Sequence, residues 1–159
     1  MLYDPMKTPP QNKRPNGHPG VISKPITVLL AEDHKTVREA VRNLLEAEDD
    51  IEVVGEAKNG RQAVEMTKQL RPDVVVMDIS MPLLNGLEAT RQIHQDVPDT
   101  KVLILSVHNE AAYVQQAIEL GAVGFLLKQD SIDDMPRAIR EVQTANSFYL
   151  GPSVARPAA

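Results

Sequence analysis

Four apolar runs in this 159-residue chain each end on a group able to do chemistry. "ITVLLAED" closes on Glu32 and Asp33, "DVVVMDI" carries Asp78, "KVLILS" ends on Ser106 and "AVGFLLK" ends on Lys128. Runs this rich in Val, Ile and Leu read as strands buried on both faces. Taken singly, each polar end has a bland reading. Asp78 is then an acid where a strand meets water, and Lys128 a solvated lysine. Glu32 is an acid favoured by a following helix N-terminus, and Ser106 caps the next segment. Four separate strand ends each carrying a suitable group shift the balance towards a site. Three carboxylates brought together repel one another and raise at least one pKa unless a cation intervenes. Oxygen donors without sulfur or histidine suit Mg2+ or Mn2+. Such an ion leaves Asp78 able to attack phosphorus and form an aspartyl phosphate. Phosphoryl transfer asks mostly for positioning and charge stabilisation. Lys128 offers a point charge to one phosphoryl oxygen, and the Ser106 hydroxyl can donate to another.

These ends must be gathered by a scaffold, and the chain between them alternates regularly. A helix follows the first run, with Val37, Ala40, Val41, Leu44 and Leu45 at helical spacing on one face. "IEVVGEA" (51–57) reads as a second strand, followed by a helix with Ala63, Met66, Thr67 and Leu70 inward. A third helix carries Leu87, Ile93 and Val97, and a fourth, "EAAYVQQAIELG", stops at Gly121. The last helix turns Met135, Ala138, Ile139 and Val142 to one side. Pro136 has no N–H and fits only a first turn, so this helix starts near Asp133 or Asp134. Five strands alternating with five helices imply a doubly wound parallel sheet covered on both faces. Right-handed crossovers favour the order 2-1-3-4-5, with the site at the carboxyl ends of strands 1 and 3, where the winding reverses.

Composition narrows the alternatives. The net charge of −5 and the lack of a Lys/Arg cluster argue against a dominant grip on nucleic acid. With no cysteine, disulfides and thiolate metal sites are excluded. No apolar run approaches the ~20 residues that span a bilayer, and no signal-peptide core is present, so no membrane association and a cytoplasmic location are the default. Residues 1–25 hold six of the twelve prolines and few large apolar groups, and read as a flexible arm. Residues 26–147 form the folded unit. Residues 148–159 read as a frayed tail or the start of a linker. The acid run "EAEDD" (46–50) reads as a solvated helix end and turn, and the four histidines as surface residues, with His108 alone near the site.

With these pieces in place, the chain from about 26 to 147 resembles the receiver domain of two-component response regulators. The resemblance rests on "AED" (31–33), "VVVMDISMPLLNG" (74–86), "ILS" (104–106) and "GAVGFLLK" (121–128), and on gaps of 45, 28 and 22 residues between Asp33, Asp78, Ser106 and Lys128. It implies a flavodoxin-like fold, and Asp78 as acceptor of a phosphoryl group from a sensor histidine kinase. It further implies Mg2+ (or Mn2+) held by Glu32, Asp33, Asp78 and the Ser80 backbone carbonyl, Asp33 more directly than Glu32. Ser106 and Phe125 resemble the switch hydroxyl and the switch aromatic, the latter turning inward when the hydroxyl moves. Ser80 and His108 resemble positions that tune how fast phosphate is gained and lost. Many receivers place a cis proline after the lysine. Gln129 stands there instead, and a cis bond before it would cost about 2.5–4 kcal/mol, so a trans peptide is expected. "GFLLKQDS" is similar to receivers of the helix-turn-helix (LuxR/NarL-type) transcriptional regulators, and "SFYLGPSVA" to the linker leading to their DNA-binding domain. DNA contact would then need an effector outside this chain, and a homodimer is a possible output. The other form open to the chain is a stand-alone receiver working through protein contacts.

Other classes fit less well. A haloacid-dehalogenase-like phosphatase wants an aspartate two residues after its nucleophile, where this chain has Ser80. A flavodoxin-like cofactor binder wants a Ser/Thr/Gly-rich loop after strand 1, where "AEDHKTV" would repel a flavin phosphate. A degenerate receiver that never sees phosphate is disfavoured by the intact acid, hydroxyl and lysine set. The expected role is therefore regulatory and not that of an enzyme turning over a substrate.

Overall fold

A computed structural model describes residues 24–130, 132–144 and 146–157. The proline-rich arm assigned to residues 1–25 lies almost wholly outside them. In chain order the elements are β1 (Ile26–Ala31), α1 (Lys35–Glu46), β2 (Ile51–Ala57), α2 (Gly60–Leu70), β3 (Val74–Met77), α3 (Gly86–Asp96), β4 (Lys101–Ser106), α4 (Ala111–Glu119), β5 (Gly124–Leu127), a short 3-10 turn (Ile132–Asp134), α5 (Met135–Thr144) and β6 (Tyr149–Leu150). The sheet is parallel throughout, in the order β2-β1-β3-β4-β5-β6.

The sheet therefore has six strands, where the sequence predicts five. β6 pairs Tyr149 with Gly124 and Leu150 with Phe125. Two residues are too few for any periodicity to stand out, so this segment reads from sequence only as tail. Its strand character comes from the β5 edge, whose open backbone groups would otherwise lack partners.

Both faces of the sheet are packed. Leu29, Ala31, Val75, Met77, Ile104 and Phe125 face α2, α3 and α4, whereas Val28, Leu30, Val76, Leu103 and Leu126 face α1 and α5. The odd–even split along each strand is the two-residue side-chain period of a pleated strand. Two helix faces differ from their expected composition. Ala40 is exposed, and Arg38 takes the buried position beside Val41 and Leu45. Leu70 is 44% exposed at the overhanging end of α2, where Val64 joins Ala63 and Thr67 inside. Met135, Ala138, Ile139 and Val142 are all buried, and Pro136 falls in the first turn of α5. Gly121 adopts φ +101° and ends α4, with the Ala122 amide donating to the Ala117 carbonyl at 2.9 Å. The "EAEDD" turn is more than a solvated run. Arg140 of α5 donates to Glu48 at 2.6 Å and to both oxygens of Asp50 at 2.8 Å, tying α5 to the α1–β2 connection.

Candidate functional site

The carboxyl ends of β1, β3, β4 and β5 lie side by side, so the four polar strand ends share one edge. β1 and β3 pair in register, and the pairing continues past the strands. The Asp78 amide donates to the Ala31 carbonyl at 2.9 Å, and on the other side of β1 the Glu32 amide donates to the Ala57 carbonyl of β2 at 3.0 Å. At the far side the Lys128 amide donates to the Ser106 carbonyl at 2.8 Å. These ladder bonds place the side chains before any of them interacts.

Glu32, Asp78 and Ser106 are 4%, 2% and 0% exposed. Lys128 reaches across with its ammonium 2.6 Å from Glu32 Oε1 and 3.3 Å from Asp78 Oδ1, bridging two buried acids. Burial pushes the Asp78 carboxyl up, and the neighbouring Glu32 charge adds to it, to about 7, although Lys128 opposes the rise. Burial also pushes Glu32 up. The Lys128 hydrogen bond and the His34 amide outweigh it, so that group sits below the usual carboxylate range. Lys128 thus holds one acid charged while the other stays partly protonated near neutrality.

Three oxygens bear on a metal ion. Glu32 Oε1, Asp33 Oδ1 and Asp78 Oδ2 are all buried, and neither aspartate oxygen has a hydrogen-bond partner. Glu32 Oε1 has its ion pair with Lys128 and Asp33 Oδ1 lies 3.3 Å from His34, whereas Asp78 Oδ2 is buried with neither kind of partner. One ligand atom each from Glu32, Asp33, His34 and Asp78 lies within 4.8 Å of the others. Buried carboxylate oxygens left unsatisfied are costly, and a hard divalent cation is the chemical complement of such a set. The residues present fit the ion.

His34 was not expected here. Its ring is exposed, yet Nδ1 lies 3.2 Å from Glu32 Oε2 and its backbone amide donates to the same oxygen at 3.1 Å. Arg38 is the other unforeseen participant. One of its Nη atoms donates to the Glu32 carbonyl at 2.8 Å and its Nε lies 3.3 Å from Glu56, so it fixes the backbone leading to Asp33. The only available signal was a charged residue interrupting an apolar helix stripe.

Ser80 and His108, both expected to tune rates, are brought together: Ser80 Oγ lies 3.2 Å from His108 Nε2. The His108 ring stacks on Tyr113 with centroids 4.5 Å apart, and its amide donates to Ser106 Oγ at 3.0 Å. Phe125 is fully buried, so its ring already lies inward. The Lys128–Gln129 peptide is trans, in a chain with no cis bond among the described residues.

The raised Asp78 pKa has a stability consequence. In the metal-free fold Asp78 keeps its proton up to about pH 7, against the ordinary aspartate value of 3.8. Between those values the folded state binds more protons than the unfolded state, so stability falls as pH rises through the window. Asp78→Asn removes this penalty. In chelator the variant is expected to match the parent near pH 4 and to exceed it at pH 8 by roughly 1–3 kcal/mol, allowing for the opposite contribution of Glu32. Urea melts at the two pH values check this. A gap that does not grow with pH contradicts it.

A parallel α/β sheet with an acidic pocket at its switch point, a bridging lysine and a neighbouring hydroxyl defines a class of signalling domain. Residues 28–140 match the response regulator receiver domain family, and the chain belongs to that family. It is 40% identical over 129 residues to the transcriptional regulatory protein DegU of Brevibacillus brevis, covering 81% of this chain and 54% of the relative. It is 36% identical over 131 residues to the response regulator GacA of Pseudomonas aeruginosa, covering 82% of this chain and 61% of the relative. The chain thus spans between half and two thirds of the length of these curated relatives. Among solved structures, the receiver domain of a putative response regulator NarL from Mycobacterium tuberculosis aligns at TM-score 0.74 and 33% identity, over 77% of this chain and all of that one. A LuxR family two-component response regulator from Aurantimonas aligns at TM-score 0.77 and 32% identity, over 82% of this chain and 93% of that one. The chain is therefore a receiver domain of two-component response regulators, related to transcriptional regulators. No helix among the described residues is long and apolar enough to cross a membrane.

Proposed function

We propose that this receiver is a phosphorylation-driven switch in which Asp78 accepts a phosphoryl group from the phosphohistidine of a sensor histidine kinase. The observation that carries the reading is the buried Asp78 Oδ2, unpartnered among the acids while Lys128 engages Oδ1. An Asp78 oxygen attacks phosphorus, the N–P bond breaks, and its electron pair returns to the imidazole nitrogen of the donor. Asp33 and Asp78, with the Ser80 carbonyl and with Glu32 in support, would hold Mg2+ or Mn2+, which neutralises charge on the transferring group when bound. Lys128 moves its charge from Asp78 towards a phosphoryl oxygen. Ser106 Oγ leaves the His108 amide and donates to another oxygen, and inward Phe125 fills the space behind it. The acid–lysine pair becomes a phosphoryl–lysine pair, and the β4–α4 loop has two arrangements that the modification biases. His108 and Ser80, side by side at the mouth, govern access of water to the acyl phosphate.

The domain is regulatory, assisting only its own phosphorylation and dephosphorylation, and works in the cytoplasm where kinases draw on ATP. Its relationship to transcriptional regulators of greater length supports an output through a DNA-binding effector outside these residues. The face made by α4, β5 and α5, next to Ser106 and Lys128, carries the change to that effector or to a second copy of the chain. Incubation with a small phosphodonor and Mg2+ is expected to add one phosphoryl group, and chelator to prevent it. Equal gain with and without metal overturns the metal-assisted reading.

A further inference from the structure

The C-terminal segment does not leave the sheet freely. After β6 the Gly151 amide donates to the Phe125 carbonyl at 2.9 Å, and at its start the Tyr149 amide donates to the Val123 carbonyl at 2.9 Å. Val154 is 8% exposed and joins the core cluster that holds Phe125, Val114 and Ala117. Two further bonds pin the segment to the site loops. The Ala155 amide donates to Asn109 Oδ1 at 2.8 Å, three residues beyond Ser106. The Ser153 amide donates to Asp130 Oδ2 at 3.3 Å, two residues beyond Lys128. A side chain at Gly151 would crowd the Phe125 carbonyl at 3.3 Å and Leu126 at 3.0 Å, so the small residue lets the segment lie close.

Asn109 therefore stands between two partners. On one side the loop is held to Ser106 Oγ through the His108 amide, and to Ser80 through the His108 ring. On the other it holds residue 155. We propose that residues 151–157 form a strap latched by Asn109 against α4 and β5, and that phosphoryl acceptance at Asp78 opens the latch. The inference rests on the switch reading above. When Ser106 Oγ turns to the phosphoryl group, the His108 amide loses its acceptor and the 107–109 loop re-seats. Asn109 Oδ1 then withdraws from Ala155, while β6, held by backbone bonds to β5, stays in place. The output of the domain is the release of residues 153–157 from the loops beside Ser106 and Lys128.

Amide hydrogen exchange with fragment readout tests this on the full chain, with intact mass recorded in parallel. With Mg2+ and a small phosphodonor, the Ala155 amide of the parent is expected to exchange about three- to tenfold faster, the protection that one hydrogen bond confers. Amides 149–151 should change little. Asn109→Ala should show the fast exchange without donor and no further change with it, although it still gains the phosphoryl group. Asn109→Asp keeps an acceptor oxygen and should retain the parent's response, which separates the latch from general loosening of the fold. Unchanged exchange at Ala155 in protein shown by mass to be phosphorylated overturns the strap. Failure to gain mass at all overturns the switch reading, and the strap's trigger with it.

Discussion

Lys128→Ala is expected to cost about 3 kcal/mol of stability at pH 8 without metal, and to slow phosphoryl acceptance by about two orders of magnitude. The first effect follows from the pair it bridges. Glu32 and Asp78 are both almost wholly buried, and the Lys128 ammonium is the cation lying 2.6 and 3.3 Å from them. Without it, Glu32 loses the hydrogen bond that holds its carboxyl below the usual range, and two like charges face each other in a poorly solvated site. Both acids then bind protons more tightly when folded than when unfolded, so the loss is small near pH 4 and grows as pH rises. Saturating Mg2+ should restore much of the stability, since the ion takes over the neutralisation. It should restore little of the rate, because the charge proposed to meet the phosphoryl oxygen is gone. Urea melts at pH 5 and pH 8, with and without Mg2+, separate these effects. Equal midpoints for parent and variant at pH 8 in chelator would show that Lys128 is not the counter-charge.

The second large effect lies in the backbone. The β3–α3 loop folds back on Asp78, with the Gly86 amide donating to the Ile79 carbonyl at 2.8 Å. A Cβ on Gly86 would sit 1.8 Å from the Asp78 carbonyl oxygen, which is backbone and has no rotamer to give. Gly86→Ala must therefore displace either the start of α3 or the peptide of Asp78 itself. Overpacking of this kind costs about 1–3 kcal/mol where side chains can yield, and at least that here. Phosphoryl acceptance should fall as well, because the backbone of the proposed nucleophile moves. Gly55→Ala is the internal comparison. Its Cβ would meet Met66 at 2.7 Å and Leu70 at 3.0 Å, both flexible side-chain ends. Thermal melts should show a clearly larger drop for Gly86→Ala. A loss no greater than that of Gly55→Ala would mean that the loop does not need its close approach.

Much of this architecture was legible in the chain because it rests on local patterns. β2 and β4 fall on the runs 51–57 and 101–106, and α5 begins where Pro136 permits. What escaped depends on partners distant in sequence. β6 exists because β5 offers an edge, and two residues carry no period of their own. Arg38 is buried because the Glu32 carbonyl and Glu56 receive it, whereas helical spacing favoured Ala40. His34 enters the acidic cluster because the turn after β1 directs Nδ1 back to Glu32 and Asp33, and adjacency to two acids was the only hint. The gathering of Glu32, Asp33, Asp78, Ser106 and Lys128 at one edge followed from strand order alone. Their distances, and the sharing of one lysine between two acids, needed the packed structure.

The central claim is that Asp78 is the phosphoryl acceptor, and intact mass after incubation with Mg2+ and a small phosphodonor tests it most directly. The parent is expected to gain one phosphoryl group that chelator prevents, and Asp78→Asn to gain none under the same quench. An Asp78→Asn protein that gains the group as fast as the parent would contradict the account, since the phosphate would then sit elsewhere.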